Sequence, residues 1–401
     1  MKKGLLLLTA VLMLGLFNPL AAMADKDEKE NAYEFEEVIV IPHTPVKDQY
    51  RSGTCWSFSG LGMLEAELLR KDKGEYDLSE MFIVRNAYSD KAKKYVRLHG
   101  NLNMAGGGGF SDDIYVMDMY GLVPEKAYSG NVIGEDKHVH GEMDAVFKAY
   151  TDAVIKNKNK KLTPVWHDGF ESLLDTYLGT YPETFIYEGK EYSPKSFAAT
   201  LGLNADDYVE ITSYTHVPFY EPFIMQIPDN WLWSETYNVP LDEMAEIVDH
   251  AVEEGYTIAW GADVSDKGFS WKNGVAIVPD TETKDLSGTE KERWEDLTPN
   301  ERKKAMFSFE EIVPEKEITQ EMRQEAYDNY QTTDDHGMLI VGKAKDQKGN
   351  IYYKVKNSWG TEDHIYDGYL YVSKPYIAYK TMNFMVHKDA LPKDIRKKLD
   401  L

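Results

Sequence analysis

A single cysteine, Cys55, stands in the 401 residues of this chain. One thiol cannot close an intrachain disulfide, so the fold must be held by buried apolar surface, and the length is ample for a large core. The same isolation limits what Cys55 can be. It is either a small buried apolar side chain, the usual fate of a lone cysteine, or a chemical group. In Gln49-Tyr50-Arg51-Ser52-Gly53-Thr54-Cys55-Trp56-Ser57-Phe58 a turn delivers the thiol to the start of a helix. Phe58, Leu61, Leu64, Leu68 and Leu69 then follow at helical spacing.

Residues 1–24 read as a secretory signal. Lys2 and Lys3 precede a leucine-rich run at 4–17, and Ala22-Met23-Ala24 offers a small-x-small cleavage site. The run is shorter than the about 20 residues of a membrane span, and no cysteine follows it to carry a lipid. The expectation is an exported protein with no membrane anchor, in a bacterial periplasm or secreted. The formal charge of −23 becomes −25 once the two lysines leave. Such a surface repels phosphate backbones and anionic lipid, which argues against nucleic-acid or membrane partners.

Residues 25–36 read as a mobile charged arm, and 37–401 as the working domain. A helical part holding the cysteine spans 37–140, an insertion 141–235, and a β-rich part 236–401 with a strongly charged insertion at 280–330. A strand is expected at 36–42. Helices are expected at 78–86 and 112–120, flanking the glycine run 106–109, and again at 141–160, 167–178 and 242–254. Residues 208–239, crowded with aromatics and prolines, read as packed extended loops. Strands are expected at 256–264, 337–343, 351–357 and 368–372.

A thiol nucleophile needs a proton carrier and donors for the oxyanion it generates. His336 stands at the mouth of an apolar strand, where a rigid sheet would position it. Asn357 ends the next strand, and its amide oxygen can hold the imidazole's orientation and tautomer. Gln49, six positions before Cys55, can aim amide donors at the same space. Each residue alone has an ordinary reading as a structural or solvated group; the combination, in this order and on these elements, is specific. His138-Val139-His140 places two imidazoles close together, but no third ligand is identifiable nearby, so no metal is assigned and no cofactor is needed.

These blocks resemble the papain superfamily of cysteine peptidases. Gln49 with Cys55-Trp56-Ser57-Phe58, His336-Gly337 and Asn357-Ser358-Trp359-Gly360 match that family's functional segments in order. His336 follows Cys55 by 281 positions, against the roughly 130–150 of papain-type enzymes. The extra length is similar to the bleomycin hydrolase and bacterial aminopeptidase C branch, as are the glycine run, Tyr256 to Val264 and Asp367-Gly368-Tyr369-Leu370.

The resemblance implies an α+β, papain-like two-lobe fold, with a helical left lobe, an antiparallel β-barrel right lobe and large helical insertions. It implies Cys55 as nucleophile, His336 as general base then acid, Asn357 as orienter, and Gln49 with the Cys55 backbone N–H as oxyanion hole. Trp359 would shield the Asn357–His336 bond, and Gly107 and Gly108 would bind the backbone of an extended peptide. Ser52 replaces a cysteine that papain-type enzymes use in a disulfide. The branch also implies peptide substrates, aminopeptidase action and a hexameric homo-oligomer. In that branch a C-terminal arm pairs its carboxylate with the substrate α-ammonium, and by comparison this chain ends about a dozen residues short. The alternatives are an endopeptidase with an open cleft and a non-catalytic peptide-binding protein.

Overall fold

The apolar run Met338-Leu339-Ile340-Val341 becomes the centre of a sheet covered on both faces. The computed structural model describes residues 33–104, 106–282 and 297–401. The signal reading of 1–24, most of the expected arm at 25–36, and 283–296 of the charged insertion lie outside them. Strand β10, His336–Asp346, pairs with three others. Along its first half it runs antiparallel to β7, Ile258–Ala262, with His336 opposite Ala262. Its second half pairs with β1, Phe35–Val40. On its other edge lies β11, Ile351–Lys356, with Leu339 opposite Lys356.

Alternation of side chains decides the two cores. Leu339 and Val341 of β10 point into one apolar cluster, and Met338 and Ile340 into another. The first cluster is filled by helices. They are α1 (Cys55–Arg70), α2 (Glu80–Arg97), α3 (Phe110–Met119), α4 (Gly141–Ile155), α5 (Trp166–Leu178) and α6 (Pro194–Leu201). The second is closed by α7, Leu241–Glu253, which buries Met244, Ile247, Val248, Ala251 and Val252. Each large aliphatic side chain buried there contributes about 1.5–3 kcal/mol relative to exposure. No helix among the described residues is long and apolar enough to cross a membrane.

Helix α1 is buried on nearly every side, because the other helices pack on one flank and β10 on another. Gly60 permits that packing. A Cβ there would lie 2.1 Å from the Asp113 Oδ2 of α3, so no larger residue fits without displacement.

The remaining strands are β2 (Phe185–Tyr187), β3 (Lys190–Tyr192), β4 (Tyr208–Thr212), β5 (Pro222–Ile224), β6 (Glu235–Asn238), β8 (Phe269–Ser270), β9 (Val275–Ala276), β12 (Tyr369–Ser373) and β13 (Thr381–His387). β2 and β3 form a separate hairpin. The others join one mixed sheet in the order β5-β6-β4-β13-β7-β10-β11-β12-β9-β8. Among the described residues the strand order is an open path with parallel pairs at β4–β6 and β9–β12, so a closed, wholly antiparallel barrel is not shown.

Residues 208–239 differ from expectation too, since they supply β4, β5 and β6. Glu210 interrupts the apolar pattern of β4 and hides it, yet its carboxylate is satisfied. It accepts from the Ser111 hydroxyl at 2.5 Å, Asn383 Nδ2 at 3.0 Å and the Thr236 hydroxyl at 3.2 Å. The charged insertion contains the expected helical pieces at Pro299–Met306 and Gln320–Asp328.

Candidate active site

Cys55 is the first residue of α1, and Thr54 before it makes no side-chain cap. The turn is tied from within instead. The Ser52 hydroxyl donates to the Gln49 carbonyl at 2.7 Å and lies 2.5 Å from the Thr54 hydroxyl. Ser52 thus braces by hydrogen bonds the turn that a disulfide would staple. The thiol is half-buried. Burial pushes it up to about 12, against the pull of the Gly337 backbone amide, while the charges of Asp334 and Asp229 push the same way as burial.

The start of β10 meets this turn closely. A Cβ on Gly337 would lie 2.8 Å from the Ser59 hydroxyl oxygen and 3.3 Å from the Trp56 Cα, so a larger residue would push the strand or its neighbours away from the helix start. His336, the preceding residue, is buried. Its Nε2 lies 2.7 Å from Asn357 Oδ1, and because that oxygen only accepts, Nε2 carries the proton. Nδ1 is then the ring's basic nitrogen. Burial draws His336 down to about 4, partly offset by the Asn357 bond.

Asn357 follows β11 directly and is anchored by its N–H to the Gly368 carbonyl at 3.1 Å. Its Oδ1 also accepts from the Ser358 N–H at 2.8 Å, which fixes the amide's orientation. Its Nδ2 is buried without a partner among the described residues. Trp359 stacks on the His336 ring, with centroids 4.7 Å apart and planes at 27°. Trp271 meets Trp359 edge-on at 5.1 Å.

Gln49 is buried beside this pair. Its Oε1 accepts from the Ser358 hydroxyl at 2.6 Å, and its Nε2 donates to the Ser52 carbonyl at 2.7 Å. An amide NH₂ has two hydrogens, so one remains for a ligand.

Gly107 adopts φ +98°, a left-handed conformation that favours glycine. Its N–H donates to the Gly53 carbonyl at 2.8 Å and its carbonyl accepts from Lys91 Nζ at 2.9 Å. Gly108 makes no backbone hydrogen bond among the described residues, so its groups are the ones open to a ligand.

Asp335 is exposed and accepts from the Thr333 hydroxyl at 2.8 Å and the Ser265 N–H at 3.2 Å. The His138 and His140 rings lie edge to face at 5.6 Å. Among the described residues, no group of three or more His, Cys, Asp or Glu side chains is placed to hold a metal. Sequence reasoning passed over Ser358, although it lies inside the quoted Asn357-Ser358-Trp359-Gly360 block. It also missed Asp229 and Lys91, for which the sequence carries no signal.

Residues 36–169 match the family model described as papain family cysteine protease, and 303–401 match the Peptidase C1-like family. Bleomycin hydrolase of Rattus norvegicus is 21% identical across 90% of this chain and 84% of its own length. Aminopeptidase C of Lactobacillus delbrueckii subsp. lactis is 18% identical across 96% of this chain and 88% of its own. A cathepsin L-like peptidase of Aedes aegypti is 36% identical over 27% of this chain and 30% of its own. Among solved structures, PepW from Lactobacillus rhamnosis HN001 shares the fold with a TM-score of 0.65 and 16% identity, covering 93% of this chain and 86% of that one. The chain is a cysteine-type peptidase of the papain superfamily and belongs to the branch that holds bleomycin hydrolase and aminopeptidase C.

Proposed function

We propose that this chain is an exported aminopeptidase that removes N-terminal residues from peptides, with Cys55 as its nucleophile. One observation carries the catalytic assignment: the 2.7 Å bond from His336 Nε2 to Asn357 Oδ1, which leaves Nδ1 basic on a strand whose Gly337 amide meets the Cys55 sulfur. Likeness to bleomycin hydrolase and aminopeptidase C along nine-tenths of the chain supports the aminopeptidase reading. The apolar run at 4–17 with Ala22-Met23-Ala24 supports export.

In the proposed reaction the Cys55 proton passes to His336 Nδ1 as sulfur bonds to the scissile carbonyl carbon. The free Gln49 N–H and the Cys55 backbone N–H stabilise the resulting oxyanion. His336 then protonates the leaving amine as the C–N bond breaks, which leaves a thioester. Water, deprotonated by the same nitrogen, hydrolyses it and returns the thiol. Asn357 keeps the ring's tautomer, Trp359 excludes water from the Asn357–His336 bond, and Gly108 offers backbone groups to the substrate.

Digestion of matched free and N-acetylated peptides, with Cys55→Ala as control, tests the assignment. Cleavage of free peptides alone, abolished in Cys55→Ala, is expected. Equal cleavage of acetylated peptides would identify an endopeptidase, and undiminished cleavage by Cys55→Ala would remove Cys55 from the mechanism.

A further inference from the structure

A cavity of about 540 Å³ opens between the end of α2, the end of α4 and the start of α5, and none of its residues takes part in the proposed reaction. The volume is that of a small-molecule site. Val96, Ile155, Leu162 and Trp166 supply its apolar surface, and Arg97, Lys160 and Lys161 its charge. No aspartate or glutamate among the described residues lines it. The walls are tied in place. The Tyr150 hydroxyl of α4 donates to the Trp166 carbonyl at 2.7 Å. Asn157 orders the loop after α4, donating Nδ2 to the Val154 carbonyl at 2.6 Å and accepting the Asn159 N–H at 3.0 Å.

Such a lining runs against the composition of the chain, which has 68 acidic and 45 basic side chains. Lys93, also at the cavity, is paired with Asp90 at 3.0 Å. Arg97, Lys160 and Lys161 are exposed, and among the described residues none of the three has a hydrogen bond or an ion pair. Helix dipoles account for one of them only. Arg97 closes α2, where a cation complements the negative end of the backbone dipole. Lys160 and Lys161 stand more than a turn beyond the end of α4 at Ile155, past the dipole's reach. The two helix ends bring about half a negative charge each, so the three cations leave about two positive charges over.

That surplus fits a compact dianion. A phosphate monoester carries it, with oxygens that accept the paired N–H groups of a guanidinium and the ammonium groups of lysine. The apolar surface adds a second requirement, an aliphatic or aromatic body attached to the phosphate. A nucleic acid or an anionic membrane would bring its charge against the net negative charge of the whole chain, which an anion small enough to enter the cavity largely avoids. We propose that this cavity binds a small organic phosphate, its phosphate held by Arg97, Lys160 and Lys161 and its apolar body packed on Val96, Ile155, Leu162 and Trp166.

The test uses the full chain labelled with fluorotryptophan and read by fluorine NMR, with the Trp166 resonance assigned through Trp166→Phe. The probes are naphthyl phosphate, naphthoate, naphthol and inorganic phosphate. Naphthyl phosphate is expected to shift the Trp166 resonance saturably, with a Kd more than about threefold below that of each other probe, since each lacks the second charge, all charge or the apolar body. Arg97→Gln or Lys161→Gln should raise that Kd more than about threefold, as for a lost charge-assisted hydrogen bond, and Arg97→Lys should recover part of the loss. These side chains are exposed, so the variants should keep the wild-type urea midpoint. The proposal is overturned by the absence of a saturable shift, or by a Kd within about threefold of wild type in both Gln variants. Equal binding of naphthol or of inorganic phosphate overturns it too, and equal binding of naphthoate overturns the assignment to phosphate.

Discussion

The Ser358 hydroxyl donates to Gln49 Oε1 at 2.6 Å, and the Gln49 backbone N–H donates to the Ser358 carbonyl at 2.8 Å. The residue after Asn357 thus clamps the side chain assigned to the oxyanion, and it does so on the amide's acceptor end. The remaining Gln49 N–H is aimed by two partners, Ser358 and Ser52. Ser358 is a positioning residue, two steps removed from the substrate.

Removing the clamp should therefore cost less than removing the donor. Gln49→Ala is expected to lower kcat by about 10²–10³, the usual effect of losing one oxyanion donor. Ser358→Ala is expected to lower kcat only about fivefold, the worth of one ordinary hydrogen bond, with KM little changed. Because both act through one amide, the double variant should be no worse than Gln49→Ala. Additive losses in steady-state kinetics would separate Ser358 from Gln49.

The proton transfer proposed from Cys55 to His336 gives a pH prediction with a defined sign. Burial pushes the thiol up to about 12 and the imidazole down to about 4, so the pair holds one proton between those limits. A second proton is taken up only near pH 4, which places the acid limb below the about 6.5 of a free histidine. Iodoacetamide, which is uncharged, should alkylate Cys55 with an acid limb near pH 4. In His336→Ala the thiol has lost its proton acceptor and titrates alone. Its alkylation at pH 7 should fall at least about 10²-fold and keep rising with pH. Coincident profiles for the two proteins would show that the residues do not share a proton.

The parts of this site that were legible in the sequence are those set by local pattern. The helix beginning at Cys55 is written in its leucine spacing. The strand entered by His336 and the turn at Asn357 are written in an apolar run and a turn block. What local pattern cannot encode is which face each residue takes when both faces are buried. Met338 and Leu339 read alike but enter different cores. Strand β4 was hidden because Glu210 is satisfied by Ser111, Thr236 and Asn383, residues distant in the chain. Asp229 reaches Gly107 across more than a hundred positions, and nothing near it in sequence marks that contact.

The Gly60 contact predicts a stability effect separate from the chemistry. In an exposed helix, Gly→Ala stabilises by about 1 kcal/mol. Here the added Cβ would meet Asp113 Oδ2 at 2.1 Å, and Asp113 is itself fully buried, with both carboxylate oxygens lacking hydrogen bonds among the described residues. Burial drives the Asp113 carboxyl towards the neutral form. Gly60→Ala is expected to destabilise the fold by about 1–3 kcal/mol, the usual cost of overpacking, read as a lower urea midpoint. An unchanged or higher midpoint would mean that α1 and α3 separate without penalty.

Trp359 tests whether water exclusion or orientation dominates at His336. It covers the ring at 4.7 Å, is itself about 36% exposed, and is held upright by Trp271. Removing it leaves the 2.7 Å bond from Nε2 to Asn357 Oδ1 in place but open to solvent, where a hydrogen bond is worth only about 0.5–1.5 kcal/mol net. Trp359→Ala should therefore lower kcat by up to about tenfold, with a smaller change in KM, and Trp359→Phe should restore most of it. Asn357→Ala removes the orienting oxygen itself. Once it is gone, the shield protects nothing, so adding Trp359→Ala to Asn357→Ala should have little further effect on kcat. A full additional loss in that double variant would show that Trp359 acts on His336 directly, through the stacked ring, and not by keeping water from the bond.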